Sequence, residues 1–458
     1  MKNKLVLFIT GCFAFVMSSC LKTDEIADVE LIKNCQISSF SLSSDSVPGL
    51  SGVSFTIDQL TGEIFNIDSM PYGTKVENVL CTVKYASTYA VSGVEVSPNA
   101  FPDSTYYWNS TDSINFSKSV RFVVHAYDKM TTKVYKAQIN IHQVIPDSMI
   151  WGKYVDPMIG IAMKEQKVVP YDYKGAECYF MYVKPAESGK PYQLYQAPVA
   201  DPKNWELLSL SGLPSDGVRL SQIAEYEGAL YVPATDGTLY TSVDGLDWAA
   251  VTNAPSIKYV LGEVKEGTKQ PSALATVVDK DGTLTFYAMN KSKEWIAGGA
   301  VPSQFPVTGF GNLQYGAMYH EYLYVAGGRD KDNQLTNTSW ATMDGKSWAL
   351  MGSQSDSGFG LREGTMLANY DEKFFMIGGF DASGKALKDI HLSIDNGITW
   401  SQVDTMVVLP PDYEARGFSS IAVDKQNFVN IFGGKTSLGG NELNQLWRGR
   451  IFRLVPKE

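Results

Sequence analysis

An all-β chain is predicted, a small β-sandwich followed by a six-bladed β-propeller, on three observations. Tryptophan returns at Trp151, Trp205, Trp248, Trp295, Trp348 and Trp400, at intervals of 43 to 54 residues, a repeat length typical of blades stacked in a ring. In phase with it, one acid–glycine corner recurs as "SVDGLDW" (242–248), "TMDGKSW" (342–348) and "SIDNGITW" (393–400). Ahead of the repeats, residues 36–143 carry short β-rich runs of rough period-two alternation with turn formers between them.

Residues 1–20 read as a lipoprotein signal peptide. Lys2 and Lys4 precede "LVLFITGCFAFVM" (5–17), an apolar run shorter than the about 20 residues that span a bilayer. It ends in "MSSC", which resembles a bacterial lipobox, and the resemblance implies a diacylglycerol on Cys20. Residues 21–35 form an acidic tether with Asp24, Glu25, Asp28 and Glu30, too polar to bury a core. The tether is similar to the surface-export tag of Bacteroidota lipoproteins. The expected setting is therefore the outer membrane, held by the N-terminal lipid anchor, with exposure at the cell surface implied by the tag.

The charge excludes one class of partner. The chain carries a formal −10, and loss of Lys2 and Lys4 with the signal takes it to −12, so nucleic acid is not an expected partner. Cys35, Cys81 and Cys178 would remain, without a CxxC spacing for zinc. Buried free thiols are expected, with a Cys35–Cys81 bridge as the alternative.

The sandwich spans 36–143. "ISSFSLS", "VSFTID", "GEIFNID", "VENVLCTVKY", "SVRFVVHAYD" and "VYKAQINIHQ" read as strands, separated by "LTGE", "MPYGT" and "YDKMTT". Its size suits an immunoglobulin-like domain, and its opening is similar to the small sandwich that precedes larger modules in Bacteroidota lipoproteins. "VIPDS" (144–148) reads as the hinge, since proline interrupts a sheet.

The propeller spans 149–458. One four-stranded blade cannot bury both faces alone, so neighbours must stack. Its outer hairpin needs positive φ, which Asp-Gly or Asn-Gly supplies. The carboxylate there accepts local N–H groups and the tryptophan packs between blades. Asp244, Asp344 and Asp395 are thus expected as structural turns, and Trp205, Trp248, Trp295, Trp348 and Trp400 as blade packing. Glycine pairs end an apolar strand in "YLYVAGG", "FFMIGG" and "FVNIFGG". This grammar resembles kelch repeats, and "SIDNGITW" resembles the Asp-box of sialidase-type propellers, in which such corners lie on the rim. Two segments compete to close the ring, the strand around Trp151 and "LWRGRIFRL" (446–454).

Chemistry is written faintly. Arg219, Arg362 and Arg416 stand near inner strands, where a guanidinium fork would suit a carboxylate or sulfate; bonding to their own blades is the competing role. A sialidase-type arginine triad is not matched, because 145–218 contains no arginine. Arg362 and Glu363, like Tyr413 and Glu414, are adjacent and so should face opposite ways on a strand. His320 and His391 are the propeller's histidines, and His391 stands where sister repeats carry Trp340 and Trp447. No catalytic group, metal site or cofactor is expected. Tyr315 is a candidate ring for a sugar face, with core packing as its competing role. The expected function is non-catalytic binding of a glycan or an envelope protein, with a glycan-processing hydrolase or lyase as the alternative and a bracing scaffold as a third reading.

Overall fold

The computed structural model describes residues 33–452, apart from 48, 88–90, 144, 146, 353–354, 356 and 404. Cys20, the signal segment, most of the tether and part of the hinge lie outside the described residues. The chain divides into two compact units, with the boundary in sequence after residue 146.

The first unit is a two-sheet sandwich. Strands Ile37–Ser43, Val79–Tyr85 and Ser113–Ile114 form one sheet. The other runs in the order Phe55–Ile57, Glu63–Asn66, Thr132–Gln138, Val120–Ala126, Val91–Pro98, Tyr106–Tyr107, with a parallel pairing of Glu63–Asn66 on Thr132–Gln138. Alternation places Phe40 and Leu42 of one sheet against Phe122 and Val124 of the other in a single core. Each fully buried side chain of this kind contributes about 1.5–3 kcal/mol. Cys35 and Cys81 are both buried there and unbridged. The sequence reading missed Val91–Pro98, whose Gly93 and terminal Pro98 weaken its β signature.

The second unit is a ring of six antiparallel sheets. Blade 1 comprises Met163–Tyr173, Ala176–Pro185, Gln193–Pro198 and Glu206–Leu208; blade 2, Ala224–Tyr226, Ala229–Pro233, Leu239–Ser242 and Ala249–Ala250. Blade 3 is Ile257–Val264, Ala273–Lys280, Thr283–Met289 and Trp295–Ala300; blade 4, Gly311–Ala317, His320–Ala326, Ser339–Thr342 and Ala349–Gly352. In blade 5 the innermost strand is split by Gly364 into Arg362–Glu363 and Met366–Tyr370, both on Lys373–Asp381, followed by Ala386–Ser393 and Ser401–Val403. Blade 6 takes Ser420–Val423, Val429–Phe432 and Leu446–Ile451 from the C-terminus and Met149–Val155 from the start of the unit. The two competing segments are therefore neighbours: Leu446–Ile451 is the third strand and Met149–Val155 the outermost, with Trp151 opposite Gly449. The indole lies flat over that glycine, where a Cβ would collide with it.

The acid–glycine corners fasten blades 2, 4 and 5 to the blades before them. Asp395 Oδ1 accepts the Thr399 N–H at 2.9 Å and the Ser393 hydroxyl at 2.8 Å. Asp244 accepts Leu246 and Asp247 N–H at 2.8 and 3.0 Å, and Asp344 accepts Lys346 and Ser347 N–H at 3.0 and 2.7 Å. Burial alone would raise these carboxyls, but the N–H and hydroxyl donors outweigh it and hold all three below the usual value. The glycines that follow have positive φ, 75° at Gly245 and 84° at Gly397. They abut the preceding blade, whose Tyr182 and Tyr324 hydroxyls donate to the Gly245 and Gly397 carbonyls at 2.8 and 2.9 Å. The tryptophans sit in the same seams. Trp248 meets Tyr182 edge-on at 5.7 Å, Trp348 meets Phe286 at 5.7 Å, and Trp400 donates to Tyr324 at 3.2 Å. Trp205 reaches Phe432 of blade 6 at 6.1 Å, and Trp295 packs on the core shared by blades 2 and 3.

Candidate ligand-binding mouth

Connecting loops and strand ends of all six blades converge at one end of the ring. They enclose a cavity of about 710 Å³. The glycine pairs shape it. Gly327 and Gly328 have φ of 65° and 91°, and Gly433 and Gly434 have 61° and 95°, so each second strand turns sharply toward the axis where a Cβ would strike neighbouring backbone or side chains.

Six basic side chains line this mouth, Lys164, Lys184, Arg219, Arg329, Lys331 and Lys435, against five acidic ones. Three of the six are engaged by the protein itself, and a fourth, Lys435, stands beside a buried carboxyl. Lys184 donates to the Ser215 carbonyl at 2.6 Å and lies 3.4 Å from Asp216. Arg329 grips Glu363 with two parallel bonds of 2.9 and 2.5 Å, the fork geometry that guanidinium favours. Lys331 pairs with Asp332 at 2.8 Å, and Lys435 lies 4.0 Å from Glu442.

Arg219 is different. It immediately precedes the short turn Leu220–Gln222, and its guanidinium lies over the Tyr259 ring at 5.1 Å. Its Nε is buried without a hydrogen-bond partner, and among the described residues its fork faces no carboxylate. A buried unsatisfied donor costs about 1–3 kcal/mol, so the position is built at the expense of stability.

Glu442 changes the charge balance. Its side chain is 2% exposed, and burial pushes its carboxyl up to about 8 against the opposing pull of Lys435, the Gly434 N–H and Gln166. It therefore keeps its proton at neutral pH. The mouth is net positive in a chain whose formal charge is −10.

The other candidates lie elsewhere. Arg362 is 3% exposed, paired with Asp389 at 3.1 Å and bonded to the Gly378 carbonyl. Burial would raise Asp389, yet the His391 bond and the Arg362 charge bring it down to about 2. Arg416 is fully buried and repeats this arrangement one blade on, bonding the Gly433 carbonyl at 3.1 Å and Gln445 at 3.1 Å. Neither keeps a fork for a ligand. His391 is 5% exposed beside Asp389, in the place of Trp447, whose indole donates to Gln445. Tyr315 is buried between blades 4 and 5, stacked on Tyr322 at 4.9 Å and meeting Phe374 edge-on at 5.0 Å. Arg362 and Glu363 do face opposite ways, the first into its blade and the second into the mouth. Asp244, Asp344 and Asp395 do not line the mouth. Among the described residues no cluster of three metal-ligating side chains occurs, and no helix is long and apolar enough to cross a membrane.

Tyr259, Lys184, Arg329, Lys435 and Glu442 escaped the sequence reading, and Glu363 was read there only as the neighbour of Arg362. Arg329 had one usable signal, its place directly after the Gly327–Gly328 pair. Glu442 had none, because its character comes from burial.

Comparison with known proteins gives a family and a fold. The family described as "DUF6242 beta propeller domain" matches residues 145–458, and "Domain of unknown function (DUF6242) N-terminal domain" matches residues 31–139. Among solved structures, the chain is similar to that titled "Structure of YjhT" at 14% identity, over 64% of this chain and 96% of that one, with a TM-score of 0.44. The search of curated proteins found no match.

Proposed function

The chain belongs to the DUF6242 family, and from that premise we propose that its propeller mouth binds an acidic glycan, bearing carboxylate or sulfate groups, without transforming it. One observation carries this reading: Arg219 presents an unpaired guanidinium, braced on Tyr259, in a net positive cavity of about 710 Å³. A cavity of that size suits a ligand of a few sugar rings, and a planar fork in a partly dry site suits a planar anion. Uronate-bearing oligosaccharides should be retained saturably and returned unchanged, neutral ones should not, and Arg219→Gln should weaken retention about tenfold. Retention indifferent to Arg219 would overturn the assignment.

A second reading has its own observation. Glu442, protonated at neutral pH, and Glu363, the partner of Arg329, stand in one cavity, so an acid and a carboxylate are both at hand for a hydrolase or lyase. Binding is preferred because both groups are engaged, Glu363 by two Arg329 bonds and Glu442 by the Gly434 N–H at 2.6 Å. Product released by wild type and abolished by Glu442→Gln would reverse that order.

The same reading places the propeller outside the cell, tethered by an acylated Cys20 to the outer membrane. The lipobox-like "MSSC" supports it. Labelling with a fatty-acid analogue should mark the wild type, and Cys20→Ser should lose the label; a labelled serine variant would refute it.

A further inference from the structure

Below the mouth the ring narrows to an axial shaft of about 120 Å³, lined by inner segments of blades 1, 2, 5 and 6 and the entry to blade 4. Mouth and shaft share Gln166, Ser221, Gln222, Gly309 and Phe418, so the two cavities adjoin. A cavity of about 150 Å³ accommodates a benzene ring. The shaft is smaller than that and admits a carboxylate or sulfate group but not a sugar ring.

Its polar lining divides in two. Gln166 is bonded to the Phe432 carbonyl and the Ser420 hydroxyl, and Gln222 to the Val307 carbonyl and the Val260 N–H. Asn312, Thr365 and Ser419 donate to the carbonyls of Leu261, Ile377 and Gly433. These groups are used by the ring itself. The Lys167 ammonium and the Ser221 hydroxyl make no hydrogen bond or ion pair among the described residues. Lys167 is also the sole ionisable side chain among those lining the shaft. Burial pushes its ammonium down from the usual value, with no carboxylate near enough to oppose it. Lys167 is half-buried, and a cation partly withdrawn from water without a counter-charge is costly; the space beside it adjoins a cavity that already favours anions.

We propose that the shaft takes the terminal acidic group of the ligand, with Lys167 as its counter-ion and Ser221 as a donor at the rim, so that the mouth reads the end of an acidic glycan chain. This rests on the acidic-glycan reading of the mouth. Arg219 then meets a second anionic group farther up, and the sugar rings stay in the wider cavity.

The test uses the full chain as wild type, Lys167→Met, Lys167→Gln and Arg219→Gln. Calorimetric titration with digalacturonate and with a decamer should give wild type the same affinity per chain end for both. Lys167→Met and Lys167→Gln should each lose at least tenfold at an unchanged melting temperature. In a parallel arm, lysines are 13C-dimethylated and sodium acetate is added; the Lys167 resonance, identified by its absence in the variants, should shift saturably. If Lys167 variants bind as wild type while Arg219→Gln does not, the shaft proposal fails and the mouth reading stands. If digalacturonate does not bind but acetate shifts Lys167, the shaft is a free-anion site and the mouth reading fails. If neither occurs, both fail. Affinity rising with chain length would also overturn recognition of an end.

Discussion

At the scale of single residues, identical chemistry serves opposite ends according to its neighbours. Arg362 and Arg416 are consumed by Asp389 and Gln445, whereas Arg219 has no such partner and turns to Tyr259. No spacing in the sequence separates the three, because what distinguishes them is a residue on, or just before, the third strand. The aspartates of the corners were legible, since an Asp-Gly turn has one economical geometry. Asp395→Ala removes an acceptor of the Thr399 N–H and two hydroxyls; it should cost about 1.5–3 kcal/mol in denaturant melts and leave ligand affinity untouched. Glu442 behaves in the reverse sense. Its folded value of about 8 lies above its ordinary 4.5, so between those pH values the folded chain keeps a proton that the unfolded chain has released. Its contribution to stability is full below pH 4.5, declines as pH rises to about 8, and then levels off. Ionised Glu442 also cancels a cation in the mouth. Affinity for uronates should therefore fall as pH passes 8, and Glu442→Gln should flatten that profile.

At the scale of elements, most strands announced themselves through alternation, and the exceptions have physical causes. Val91–Pro98 carries breakers, and Met149–Val155 buries Met149 alone while Ile150, Gly152 and Lys153 are exposed, so it lacks a core strand's pattern. Its assignment depends on Trp151 meeting Gly449, a long-range pairing that repeats alone leave undecided between two segments. Any side chain at 449 displaces the indole. Gly449→Ala should lower the melting temperature by several degrees, as about 1–3 kcal/mol of overpacking would, and Trp151→Ala in the same chain should recover part of the loss.

At the scale of the whole molecule, composition and mouth disagree in sign. A chain of formal charge −10 repels polyanions at a distance, yet its axial cavities collect unpaired cations in Arg219, Lys164 and Lys167. Association should therefore depend on a local field of short range. Between about 0.05 and 0.5 M salt the screening length shortens from above 10 Å to below 5 Å. Uronate affinity should consequently change little with salt, because bulk repulsion and local attraction weaken together. A steep salt-driven loss, measured by the same calorimetry, would point to a diffuse surface patch instead. The six-bladed architecture could be read from the tryptophan phase together with the acid–glycine corners and glycine pairs. The mouth could not, since it is assembled from loops and strand residues of all six repeats, and only folding brings them to one axis.

The outermost strand of blade 6 leaves the ribosome first among the propeller strands, and its partner follows nearly 300 residues later. At roughly 5–20 residues per second that is a wait of about 15–60 s. Throughout it, Met149–Val155 must neither seize a passing edge nor be seized by one. Until Leu446–Ile451 has been made the blades stand as an open ribbon, and the ring latches only at the very end of synthesis.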